Sequence, residues 1–124
     1  MTKKILIVED EEEVLELLSE IFGDLEDYRV LCARNGEEAL RIARGDKPDI
    51  ILLDIQLPRM NGCKVCKSVK SDPAMSHIKV LFISGMAQNS DRQKAQEVGA
   101  DAYITKPFSS TALVEKVEEL LRSS

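Results

Sequence analysis

No stretch of this chain is apolar for long enough to cross a bilayer, and nothing before Lys3-Lys4 has the apolar core of a secretory leader. Membrane insertion and export are not expected; a cytoplasmic address is. Basic residues are in deficit as well, with 17 Lys and Arg against 22 Asp and Glu and a net charge of −5. Without a basic stripe to neutralise phosphates, direct binding of nucleic acid is excluded as the domain's own activity. Cysteine is scarce and odd in number, so Cys32, Cys63 and Cys66 do not make a disulfide framework. The Cys63-Lys64-Val65-Cys66 spacing fits a redox or zinc pair, but a zinc site would have only Cys32 and the single histidine, His77, to complete it. Cys66 falls in phase with Val65 and Val69 on an apolar helix face, and the thiols are read as small hydrophobes. His77 is read as a surface loop residue. Repeats, linkers and low-complexity tracts are missing too. The 124 residues are expected to form one domain, 1–124, with no effector domain attached.

What the chain does have is alternation. Hydrophobic residues at 44% and charged residues at 31% suit a globular fold rather than a disordered one. Residues 4–9 read as a strand, followed by Val14, Leu17, Leu18, Ile21 and Phe22 at helical spacing. A short strand at 28–33 precedes the breaker Asn35-Gly36 and a helix carrying Ala39, Leu40 and Ala43. Pro48 ends that helix and leads into a strand closing at Asp54. The turn-rich segment 56–62 is followed by a helix of about ten residues. Strands are then expected at 78–84 and 101–105, with a polar helix at 88–98 between them. A final helix places Leu113, Val114, Val117, Leu120 and Leu121 on one face. Five βα units of this kind predict an α/β fold: a doubly wound, five-stranded parallel sheet covered on both faces, with right-handed crossovers.

The strand Ile50-Ile51-Leu52-Leu53 is apolar at four successive positions, as suits a strand buried on both faces. It delivers Asp54 to the carboxyl edge of the sheet, where crevices open in such folds. Glu9 and Asp10 close the first strand, Ser84 the fourth and Lys106 the fifth, so the fold gathers all of them on one edge. Three neighbouring carboxylates repel one another, and burial makes that worse. A hard divalent cation, Mg²⁺ or Mn²⁺, resolves the conflict. Asp54 is then a candidate phosphoryl acceptor, Lys106 a counter-charge and the Ser84 hydroxyl a donor to a phosphoryl oxygen. Each residue also has a plainer reading. Glu11, Glu12 and Glu13 simply favour the positive end of a helix. Ser84 alone fits a helix cap, and Lys106 alone fits a surface lysine. The combination at successive strand ends is what selects the site.

In the pieces ILIVED, PDIILLDIQLPRMNG, LFISGMA and DAYITKPF, in that order and spacing, the chain resembles the receiver domains of two-component response regulators over its whole length, in the manner of a stand-alone, chemotaxis-type receiver. The resemblance implies a flavodoxin-like strand order 2-1-3-4-5. It makes Asp54 the phosphoacceptor, with Glu9, Asp10, Asp54 and the backbone carbonyl of Gln56 holding Mg²⁺. Ser84 and Lys106 match the family's hydroxyl and lysine, Tyr103 the aromatic that changes rotamer on activation, and Lys106-Pro107 a usually cis peptide bond. Glu9 stands where Asp is frequent, Leu57 where Met is frequent and Ser84 where Thr is frequent. The implied donor is a sensor histidine kinase or a histidine phosphotransfer protein. The implied output is a downstream protein bound at the face of the fourth helix, fifth strand and fifth helix, from a monomer or a phosphorylation-dependent dimer. Side chains at Gln56 and Met86 would tune the phosphoryl lifetime. The protein is thus expected to signal, catalysing only its own phosphotransfer and autodephosphorylation, rather than to act as an enzyme on other substrates.

Three alternatives draw on the same residues. A phosphatase of the haloacid dehalogenase-like type needs a second carboxylate two residues after the nucleophile, where this chain has Gln56. A flavodoxin-like FMN carrier cradles phosphate after its first strand, where this chain has Glu9-Asp10-Glu11-Glu12-Glu13, and there is no Trp to stack a flavin. A receiver-fold module acting without phosphorylation would have no use for the intact acceptor, lysine and acid pair.

Overall fold

The computed structural model describes residues 2–55, 57, 60–85 and 89–122, of which 89–91 as backbone. The chain alternates strictly: β1 (Lys3–Val8), α1 (Glu12–Gly23), β2 (Tyr28–Ala33), α2 (Gly36–Asp46), β3 (Ile50–Asp54), α3 (Gly62–Ser71), β4 (Lys79–Ser84), α4 (Asn89–Glu97), β5 (Ala102–Thr105) and α5 (Ser110–Arg122). All neighbouring strands pair in parallel, in the order β2-β1-β3-β4-β5. This is the expected 2-1-3-4-5 order. The order reverses between β1 and β3, which opens a crevice at their carboxyl ends.

The apolar runs have a simple cause. Leu6, Val8, Ile51, Leu53, Val80 and Phe82 belong to one core, which includes buried residues of α2, α3 and α4. Ile5, Ile7, Ile50, Leu52, Leu81 and Ile83 belong to a second, shared with α1 and α5. Successive strand residues point to opposite faces, and both faces are covered, so every position is apolar. The register aligns Val8 with Leu53 and Asp54 with Ile83, bringing the strand ends level.

Helix boundaries follow local chemistry. Asn35 caps α2 by accepting from the Glu38 N–H at 2.9 Å, and Asn61 caps α3 by accepting from the Cys63 N–H at 2.7 Å. At the far end of α2, Lys47 takes up φ 47° and donates its N–H to Ala43, one residue ahead of Pro48. Four expected elements shift slightly. The first strand ends at Val8 rather than residue 9, and the fourth starts at Lys79 because Ile78 donates its N–H to Met75 in the preceding turn. The fifth strand starts at Ala102, and the polar helix is Asn89–Glu97. Leu17, placed on the apolar face of the first helix, is instead 56% exposed. It sits at the mouth of a groove between α1 and α5, beside Ile21, Leu25 and Val114.

Candidate functional site: an acidic crevice at the strand ends

The ladders continue one residue beyond the strands where the site needs them. The Glu9 N–H donates to Ala33 at 3.0 Å, and the Lys106 N–H donates to Ser84 at 2.8 Å. Parity then divides the site. Glu9, Asp54 and Lys106 are in phase with Ile7, Leu52 and Ile104, on the side of α1 and α5. Ser84 and Tyr103 are in phase with Phe82, on the side of α4. The charged residues of one face and the Ser84 hydroxyl of the other thus end at the same edge of the sheet.

Glu9, Asp10 and Asp54 each offer a carboxylate oxygen, and these oxygens lie within 4.8 Å of one another. Glu9 is only 2% exposed, Asp54 half-buried and Asp10 exposed. Burial foremost, with the negative charge of Asp54 adding to it, pushes the Glu9 carboxyl from 4.5 up to about 7. Two contacts oppose this: the Glu11 N–H donates to Glu9 Oε1 at 3.2 Å, and Lys106 Nζ lies 3.5 Å from Glu9 Oε2. A buried acid whose charged form is disfavoured marks a site short of positive charge. The donor set is oxygen alone, at close range, and it fits a hard divalent cation. Gln56, whose backbone carbonyl was the remaining expected ligand, lies outside the described residues, as does Met86.

The other expected residues are placed as follows. Ser84 is 2% exposed at the end of β4, and Gly85 after it is not helical, so Ser84 does not cap a helix. Lys106 is about one-third exposed, at 30%, and reaches into the acid cluster. The Lys106-Pro107 peptide bond is cis. Tyr103 is half-buried in β5 and lies under the guanidinium of Arg92. Glu11, Glu12 and Glu13 are exposed, and Glu12 pairs with Arg34 at 2.9 Å. Among the described residues the acid triad is the only group of three potential metal-ligating side chains, so no zinc site includes the cysteines. Cys66 is fully buried, and burial pushes its thiol up to about 12. His77 is exposed, near Lys3 and Lys79, the first residues of β1 and β4, which run from there toward the acid edge.

Two contributors escaped the sequence reading. Gly62 donates its N–H to Ile55 at 2.8 Å and lies so close to Asp54 that a Cβ at this position would collide with the Asp54 carbonyl oxygen. It packs the start of α3 onto the end of β3 and so fixes where Asp54 stands. The Asn61-Gly62 pair was the available signal, but it reads as a turn first. Arg92 is the second; nothing in a polar helix singles out one arginine.

A parallel sheet of this order, with an acid triad, a lysine and a buried hydroxyl at its carboxyl edge, defines a doubly wound domain with an acidic crevice. Residues 5–118 match the family model of the response regulator receiver domain, and the chain belongs to that family. It is 40% identical over 124 residues to the alkaline phosphatase synthesis transcriptional regulatory protein PhoP of Bacillus subtilis; the match covers all of this chain and 50% of PhoP, so the chain spans half that relative's length. It is 37% identical over 121 residues to the polar-differentiation response regulator DivK of Brucella anthropi, covering 98% of each. Among solved structures, a putative response regulator from Chloroflexus aurantiacus superposes with a TM-score of 0.93 at 31% identity, covering 98% of this chain and 99% of that one. No described helix is long and apolar enough to cross a membrane.

Proposed function

We propose that this chain is a phosphoacceptor switch of a two-component system, with Asp54 receiving a phosphoryl group from the phosphohistidine of a sensor kinase or phosphotransfer protein. The observation that carries the reading is the acid triad, whose oxygens lie within 4.8 Å of one another beside Lys106. Glu9, Asp10 and Asp54 are the residues that would hold Mg²⁺. A cation there supplies positive charge for the phosphoryl oxygens and relieves the repulsion among the carboxylates. Asp54 attacks as an ionised carboxylate, needing no general base. Lys106, already drawn toward the acids, counters the charge that accumulates on the transferred group. Gly62 keeps the Asp54 backbone in place, and the Ser84 hydroxyl is at hand for a phosphoryl oxygen.

The added group carries up to two negative charges and three acceptor oxygens. On this reading Ser84 is drawn toward it, Tyr103 turns toward the space beside Ser84, and the α4-β5-α5 face changes shape for a partner protein. The protein then acts by binding, with no turnover beyond its own dephosphorylation.

Intact-protein mass after incubation with acetyl phosphate tests this, with and without Mg²⁺, for wild type and Asp54→Asn. One Mg²⁺-dependent phosphoryl adduct, absent from Asp54→Asn, is expected. An adduct that persists in Asp54→Asn would reject Asp54 as the acceptor.

A further inference from the structure

Tyr103 sits in β5 opposite Phe82, two residues before Thr105, which pairs with Ser84. Its half-buried ring packs against the core on the α4 side of the sheet. Arg92, in α4, places its guanidinium carbon 5.6 Å from the centroid of that ring. At this range a guanidinium is attracted by the negative face of the aromatic ring. The contact matters because α4 has little else to hold it: among its described side chains only Ala95 is buried. A cavity of about 330 Å³ adjoins the contact, lined by Arg92, Ala95, Gln96, Asp101 and Tyr103. Close packing therefore does not fix the ring on that side. Asp101, the carboxylate in the cavity wall, is engaged elsewhere, 2.8 Å from Lys70 Nζ and accepting from the Val80 N–H at 2.8 Å.

We propose that Arg92 is a positioning residue for Tyr103: its guanidinium holds the ring against α4, and a turn of Tyr103 toward Ser84 must break that contact. Arg92 thereby sets how readily events at Asp54 reach the α4-β5 flank. The inference rests on the reading of Tyr103 as the moving residue of the switch. A compact, strongly hydrated ammonium supplies the charge without the spread of the guanidinium, so lysine is expected to replace Arg92 only in part.

The chain provides its own control, since it has two tyrosines and the other, Tyr28, packs edge-on against Phe22 with ring centroids 5.3 Å apart. The experiment is NMR of ring-labelled tyrosine in the full chain, comparing wild type, Arg92→Met and Arg92→Lys, before and after acetyl phosphate with Mg²⁺. Intact mass verifies phosphorylation in each sample. Before phosphorylation, Arg92→Met shifts the Tyr103 ring signals toward their phosphorylated positions and leaves Tyr28 in place, with Arg92→Lys in between. The population of the turned ring rises about two- to fivefold, as loss of one exposed cation–π contact allows. All three proteins reach the same Tyr103 end point once phosphorylated. If wild-type Tyr103 responds to phosphorylation but Arg92→Met leaves the unphosphorylated ring unmoved, or moves Tyr28 equally, the role of Arg92 is overturned alone. A wild-type ring indifferent to phosphorylated Asp54 would overturn the switch role of Tyr103 and this role for Arg92 with it.

Discussion

The acid edge and the α4-β5 flank are built in opposite ways. β1 and β3, which deliver the acids, bury Ile5 through Val8 and Ile50 through Leu53 to 1% exposure or less. β5 is only half-buried along its length, lies at the sheet edge, and is flanked by a helix that buries Ala95 among its described side chains. A site that must hold three like charges at close range needs stiff walls. On the proposed reading the α4-β5 flank changes shape, which stiff walls would prevent. The division follows the sequence: IILL allows no slack, whereas the helix that includes Asp91, Arg92, Gln93 and Lys94 has almost nothing apolar to bury.

The contrast can be sharpened by mutation. The largest effect is expected at Leu52, whose truncation to Ala should cost about 2–5 kcal/mol in urea unfolding, with a cavity left between β3 and its helices. Ala95→Gly in α4 should cost no more than about 1 kcal/mol. Equal losses at the two positions would mean that α4 is anchored as firmly as β3.

Next in size is an effect of the acids themselves. The folded-state pKa of Glu9 is raised from 4.5 to about 7, so in the metal-free protein the stability contributed by protonated Glu9 is fully present below pH 4.5 and is lost as the pH rises through about 7. A shift of that size corresponds to on the order of 3 kcal/mol. Glu9→Gln should abolish this pH-dependent loss and stabilise the metal-free fold at pH 8, while Mg²⁺ should stabilise wild type more than the variant. Identical pH profiles for the two proteins would show that Glu9 is not under strain.

A smaller loss is expected at Gly62. An added methyl meets backbone rather than a flexible side chain, so Gly62→Ala should cost about 1–3 kcal/mol and slow the labelling of Asp54 by acetyl phosphate. Unchanged stability and labelling would mean that the approach of α3 to Asp54 is dispensable.

The fold was legible because each strand is an apolar run between breakers, and because two covered faces leave no polar alternation to misread. The site was legible for a related reason: strand ends in a parallel sheet collect at one edge, so Glu9, Asp10, Asp54, Ser84 and Lys106 could be grouped without coordinates. Leu17 misled because helical spacing says which residues share a stripe but not how wide a stripe the neighbours cover, and a groove separates α1 from α5 there. Gly62 was missed because a close backbone approach leaves no mark beyond the glycine itself. Arg92 was missed because its partner lies on a different element, eleven positions away, and only the packing of α4 on β5 brings them together.

Amide hydrogen exchange, read residue by residue before and after Mg²⁺ with acetyl phosphate, tests the division of labour most directly. The account predicts that β1 and β3 amides exchange only through global unfolding, that α4 amides exchange orders of magnitude faster, and that phosphorylation changes protection mainly in α4 and β5. Protection in α4 equal to that of β3, or a phosphorylation response confined to the acid edge, would contradict it.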